Sequence, residues 1–172
     1  KLWTYNLNYF DFLIQNNMDK KTGLKLIKDY VNNDNYLKAG REPYTISLRT
    51  INWIKFLEIK KINYKKINTF IYKYVQILSK NLEYHILGNH LLENAFALFF
   101  ASYYFRDNKL YIKSKRLLIQ QLDEQILNDG AHFELSPMYH QIIFYRLLDS
   151  INLIKLNKIW DDESFNLFLI SK

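Results

Sequence analysis

Four histidines, His85, His90, His132 and His140, fall within one stretch of the chain that also carries Asn89, Glu93, Glu134 and Tyr139. An amide next to an imidazole, as in Asn89-His90, can donate twice to a carboxylate. A tyrosine such as Tyr139 can give or take a proton once it is positioned. Farther upstream, Arg49, Asn52 and Trp53 stand at i, i+3 and i+4, which puts them on one face of a helix. These groups suit the binding of an anion and the movement of a proton next to it. His90 and Glu93 are spaced like two metal ligands, but no third ligand accompanies them, so no metal and no cofactor is expected.

Such groups act together only if the elements carrying them bring them together. The chain has only four glycines and two prolines, too few for the turns of an all-β sandwich or barrel of this length. Gly23, Gly40, Pro43, Gly88, Gly130 and Pro137 instead divide it into stretches of helical length. Residues 1–13 alternate Trp3, Tyr5, Leu7 and Tyr9 and predict an extended segment packed on the domain. A helix is expected over 24–31, then mostly loop to 44. Regular helices follow over 46–59 and 65–84, the second with an apolar stripe of Ile67, Phe70, Ile71, Tyr74, Leu78 and Leu82. A helix over 90–105 is apolar nearly all round and so is expected to be buried. Others follow at 110–127, at 137–157 after Ser136 as N-cap and Pro137 in the first turn, and at 162–170. The whole reads as one all-α domain of antiparallel helix pairs, an arrangement shared by bundles, solenoids and α/α toroids.

Up-and-down packing puts the helices starting near 46, 90 and 137 in the same direction. Arg49 and Asn52, Asn89, His90 and Glu93, and Tyr139 and His140 are then expected at one rim. Helix N-termini attract anions, and the net charge of +7 favours an acidic polymer. Ordinary structural roles stay open for each residue: Asn89 as an N-cap, His90 with Glu93 as a first-turn pair, Tyr139 as core, His132 and Glu134 as solvated loop. The longest apolar run, from Ala95 to Ala101, is far short of the roughly 20 residues of a membrane span. Cysteine is absent, which removes disulfides and thiolate zinc sites. Lysines are scattered and no nucleic-acid motif is present, so no nucleic-acid partner is expected.

The segments WTYNLNYFDFL (3–13), EPYTISLRTINWIKFL (42–57), NLEYHILGNHLLENAFALFFASYYF (81–105) and DGAHFELSPMYHQIIFYRLLD (129–149) resemble the N-terminal helical domain of the heparinase II/III-like polysaccharide lyases. GNHLLENA and HFELSPMYH carry most of the specificity. The resemblance implies an incomplete α/α toroid, followed in the natural protein by a C-terminal β-sandwich that supplies a further histidine. It also implies β-elimination on uronate-containing acidic polysaccharides. On that resemblance Asn89, assisted by His90, neutralises the uronate carboxylate and Tyr139 is the proton donor, or acid and base in turn. Arg49, Asn52, Trp53, Glu93, His132, Glu134 and His140 line or brace the groove. Residues 1–172 alone are then expected to turn substrate over slowly or not at all. The competing expectation is a non-catalytic protein that binds acidic glycans in a surface-polysaccharide pathway.

Overall fold

The start of the chain departs from the extended segment its alternation suggests. In a computed structural model, which describes residues 2–86 and 88–172, Leu2–Tyr9 form a helix, α1, and Asp11–Ile14 a 3-10 turn. Lys1 lies outside the described residues. The alternating Trp3 and Leu7 are exposed at 76% and 48%, so the period-two pattern marks no buried face. Helical spacing instead lets the Asn8 amide donate to the Thr4 carbonyl at 2.7 Å, and Phe10 ends the helix at a left-handed φ of 61°.

The remaining helices are α2 (Lys20–Asn33), α3 (Pro43–Ile59), α4 (Lys65–Lys80), α5 (Gly88–Phe105), α6 (Asn108–Gln125), α7 (Pro137–Asn157) and α8 (Glu163–Ser171). Among the described residues no strand occurs beyond an isolated bridge between Ile126 and His132. The protein is all-α. Asp19 and Asp107 cap α2 and α6 by accepting from backbone N–H groups of the first turn. Ser136 holds the N-cap position of α7 without a side-chain capping bond, and Pro137 follows at N1. No helix among the described residues is long and apolar enough to cross a membrane.

The chain forms two compact units, Lys1–Leu82 and Glu83–Lys172. In the first, α3 and α4 are antiparallel: Trp53 packs on Phe70, and the Arg49 guanidinium lies over the Tyr74 ring. Phe10, Tyr30, Trp53 and Phe70 form an aromatic cluster, with Phe10 and Tyr30 each edge-on to Trp53. Gly23 of α2 sits against Phe56 of α3, so closely that a Cβ there would lie 2.3 Å from the ring tip.

In the second unit α5 is the core, buried at every position from Leu91 to Tyr103. Its lack of a polar stripe follows from being covered on all sides. α6 returns antiparallel to it: the Gln125 amide at the end of α6 reaches the Gly88 carbonyl at the start of α5, while Tyr103 packs on Tyr111 at the opposite end. α7 runs parallel to α5, since Arg146 meets Glu93 and Trp160, just past α7, meets Tyr103. α8 follows α6, with Asp162 by Tyr111 and Lys115 and Lys172 by Asp123. Two antiparallel pairs result, with the N-termini of α5 and α7 at one end.

Asp162 joins these pairs. It caps α8 through the Phe165 N–H and accepts from Tyr111 Oη and Lys115 Nζ. Burial alone would raise its pKa, but the bonds from Lys115 and Tyr111 bring it down to about 2. The same contact, after burial, pushes the Tyr111 hydroxyl up.

Two stability measurements follow. Gly23→Ala should lower the unfolding free energy measured in urea by roughly 1–2 kcal/mol, because overpacking against the fully buried Phe56 outweighs the gain in helix propensity. Adding Phe56→Leu should recover part of the loss. A folded-state pKa depressed below the ordinary 3.8 makes the Asp162 contribution complete above about pH 4, and it is lost as pH falls through about 2. Asp162→Asn should therefore cost about 1–3 kcal/mol at neutral pH and flatten the acid limb of the stability curve.

Candidate functional site

Asn89 and His90 of the second unit lie in the first turn of α5, and Glu134 approaches it. Gly88 has φ of +53°, which brings the chain sharply into the helix. Asn89 and His90 follow as the second and third residues, Asn89 buried and His90 half-buried. Glu83, only 4% exposed, lies beneath them. Its carboxylate accepts from Asn94 Nδ2 at 2.9 Å, while the Glu83 N–H donates to Asn94 Oδ1 at 3.0 Å, so one amide secures both backbone and side chain. The other Glu83 oxygen lies 3.3 Å from His90 Nδ1. A carboxylate can only accept there, so it selects the imidazole tautomer with the proton on Nδ1.

The end of α6 supports the same turn. Gln125 Nε2 donates to the Gly88 carbonyl at 2.9 Å and to Gln121 Oε1 at 2.8 Å. With both amide protons committed, Gln125 Oε1 accepts from His132 Nε2 at 3.0 Å. His132 Nδ1 is then the acceptor for the Glu134 N–H at 3.4 Å, so the neutral ring satisfies both its nitrogens. Burial, and then the neighbouring His140, lowers the His132 pKa against the opposing pull of Glu134. Glu134 itself reaches back to α5: its Oε1 stands 3.0 Å from where a Cβ on Gly88 would be. A negative charge at a helix start is favourably placed.

On α7, Tyr139 is half-buried and His140 exposed, its ring stacked with Phe144. Glu93 has no exposed surface, and both its oxygens face Arg146 Nε, at 3.0 and 2.9 Å. It braces α5 against α7. Among the described residues no group of three or more His, Cys, Asp or Glu could hold a metal ion.

Arg49, Asn52 and Trp53 belong to the first unit, where each is at most 3% exposed. Arg49 Nη1 donates to Tyr30 Oη at 2.7 Å and to the Gly40 carbonyl at 2.8 Å, and its guanidinium lies over the Tyr30 ring. Asn52 Nδ2 donates to the Tyr9 carbonyl at 2.9 Å and to Asp11 Oδ1 at 2.6 Å. Within that unit these side chains brace. They tie α1 and the turn at Gly40 to α3. Arg49 Nη2, Asn52 Oδ1 and Trp53 Nε1 are buried without hydrogen-bond partners.

Glu83, Asn94, Gln121, Gln125 and Arg146 were not among the residues singled out from sequence. A signal existed for some of them. Arg146 is the first cation of α7, and Gln121 and Gln125 stand one turn apart on α6.

Removing Arg146 leaves the Glu93 carboxylate without its guanidinium in a fully buried position. Arg146→Ala should therefore lower stability by about 3–5 kcal/mol in urea unfolding, and Glu93→Leu combined with Arg146→Met should regain most of it.

No curated protein and no solved structure matches the chain significantly. The family described as "Heparinase II/III N-terminus" matches over residues 5–165. Nearly the whole chain is spanned, including every residue of the α5 and α7 cluster. The chain belongs to the heparinase II/III N-terminal domain family.

Proposed function

We propose that this domain is the helical substrate-binding and catalytic part of a polysaccharide lyase that cleaves uronate-containing glycans by β-elimination, built as part of an incomplete α/α toroid. The observation that carries the reading is the pairing of two parallel helix starts in the second unit, Asn89-His90 on α5 and Tyr139-His140 on α7, within a domain of this family. Asn89 and His90 hydrogen-bond the uronate carboxylate and so favour the negative charge that develops when the adjacent C5 proton leaves. The electron pair of that C–H bond forms the C4=C5 double bond, and the C4–O bond breaks with its electrons on oxygen. Tyr139 gives that oxygen its proton and, as acid and base in turn, is reset by the proton taken from C5. Glu83 holds the His90 ring, while His132, Glu134 and His140 border the cleft. Glu93, Arg49, Asn52 and Trp53 serve as braces. A β-sandwich of the natural protein completes the cleft.

The test is formation of unsaturated uronate, read by its ultraviolet absorbance, with the natural full-length protein on a panel of acidic glycans. Tyr139→Phe should reduce turnover at least about a hundredfold, and Asn89→Ala by roughly 10²–10³, both with unchanged thermal unfolding. Glycan binding without product on any substrate, together with no effect of Tyr139→Phe, would sink the lyase reading and leave a non-catalytic glycan-binding protein.

A further inference from the structure

His132 stands in a hydrogen-bond chain whose donors all point one way. The Glu134 N–H donates to His132 Nδ1, His132 Nε2 to Gln125 Oε1 and Gln125 Nε2 to Gln121 Oε1, and Gln121 Nε2 donates at 3.1 Å to Glu124. Glu124 is a carboxylate and can only accept, so the direction is fixed from that end. A proton added to His132 therefore has one place to go, Nδ1, the atom that accepts from the Glu134 N–H. An imidazolium has two donors and no acceptor. Protonation thus sets two N–H groups against each other in a turn where His132 is 1% exposed.

The nearest acceptor for that proton belongs to the same residue. Glu134 is exposed, and its Oε1 rests at the start of α5, 3.0 Å from where a Cβ on Gly88 would be. Burial holds the His132 pKa below its ordinary value; Glu134 pulls the other way, and His140 on α7 adds to the fall. From α6 the ring faces the uncharged Gln125, and α5 joins the network at the uncharged Gly88 carbonyl. We propose that His132 and Glu134 form a proton-operated switch over the first turn of α5. With His132 neutral, the Glu134 carboxylate rests there as a resident anion, where the helix start favours it. When Nδ1 gains a proton, that carboxylate turns to the ring and leaves the first turn to an external carboxylate. On the lyase reading, on which this choice of ligand rests, the external carboxylate is the uronate held by Asn89 and His90. A uronate arriving there repels Glu134 toward His132, and the ring takes up one proton from solvent; no covalent bond to carbon or oxygen changes. A ligand that raises the proton affinity of His132 binds more tightly as pH falls from neutral toward the point where the ring protonates unaided.

The experiment follows the 172-residue chain by NMR from neutral to mildly acid pH, with and without trigalacturonate. His90 and His140 titrate as well, so the readout is taken residue by residue. Without ligand, the His132 ring nitrogens should report the Nε2–H tautomer at neutral pH, and the Glu134 side-chain carboxyl and the Gly88 amide should move with the His132 midpoint. Trigalacturonate should raise that midpoint and bind up to about tenfold more tightly per pH unit as the ring takes up its proton. Glu134→Gln should bind trigalacturonate at least about fivefold more tightly at neutral pH, and the ligand should then no longer shift the His132 midpoint. His132→Gln can still donate to Gln125 and accept from the Glu134 N–H, so it should hold Glu134 in place at every pH. A Glu134 carboxyl signal that ignores the His132 midpoint overturns the switch, even if the full-length protein forms product. Trigalacturonate binding to Glu134→Gln no tighter than to the wild type overturns Glu134 as the resident anion. A Glu134 signal that follows His132, with no response of the Asn89 and His90 amides to trigalacturonate at any pH, upholds the switch and removes the uronate site of the lyase reading.

Discussion

The buried pair between Glu93 and Arg146 sets the register that positions the second unit's candidate residues. Glu93 lies one turn inside α5 from Asn89, and Arg146 lies two turns inside α7 from Tyr139. Sliding either helix by a turn would leave a carboxylate or a guanidinium alone in an apolar core, which costs several kcal/mol. An all-apolar contact between α5 and α7 would tolerate such slips far better, since one leucine packs much like another. The ion pair thus does for position what the surrounding Leu and Phe side chains do for stability. Its cost in desolvation is offset because the guanidinium meets both oxygens of the carboxylate.

A second constraint comes from the polar groups buried next to that core. Glu83 with Asn94, and Gln125 with His132, hold the turn before α5 from two sides. Both pairs leave little choice of proton position: a carboxylate faces His90 Nδ1, and an amide oxygen faces His132 Nε2. The two histidines consequently differ in kind. His132 is closed in and kept neutral by burial, whereas His90 stays partly open beside Asn89. The first unit shows the opposite use of polarity, with Arg49 inserted between tyrosine rings to hold a turn.

Much of this was legible from residue patterns, for reasons specific to each element. α5 announces its burial by being apolar on all sides, and Pro137 marks the start of α7 because proline is tolerated in a first turn. Spacing within one helix placed Asn89 by His90 and Tyr139 by His140. It did not reveal their supports, because Glu83, Gln125 and Arg146 act across elements and a buried Gln or Arg looks in sequence like any solvent-facing one. α1 was misread because aromatic alternation over a few residues fits either period, and its asparagines are poor helix formers in isolation. Arg49, Asn52 and Trp53 were correctly placed on one face, yet the periodicity of a helix does not say whether that face meets solvent or a neighbouring chain segment.

Gln125 shows how narrow the tolerance of such a support can be. Its two amide protons and its oxygen are all committed, to Gly88, Gln121 and His132. Glutamate would turn an oxygen toward the Gly88 carbonyl, asparagine would fall short by a methylene, and leucine would strand three polar groups. Only one of the twenty side chains has the right length and the right hydrogens. In a divergent relative, glutamine at this position would therefore report on whether the turn before α5 is built the same way, independently of whether the candidate residues it supports have changed.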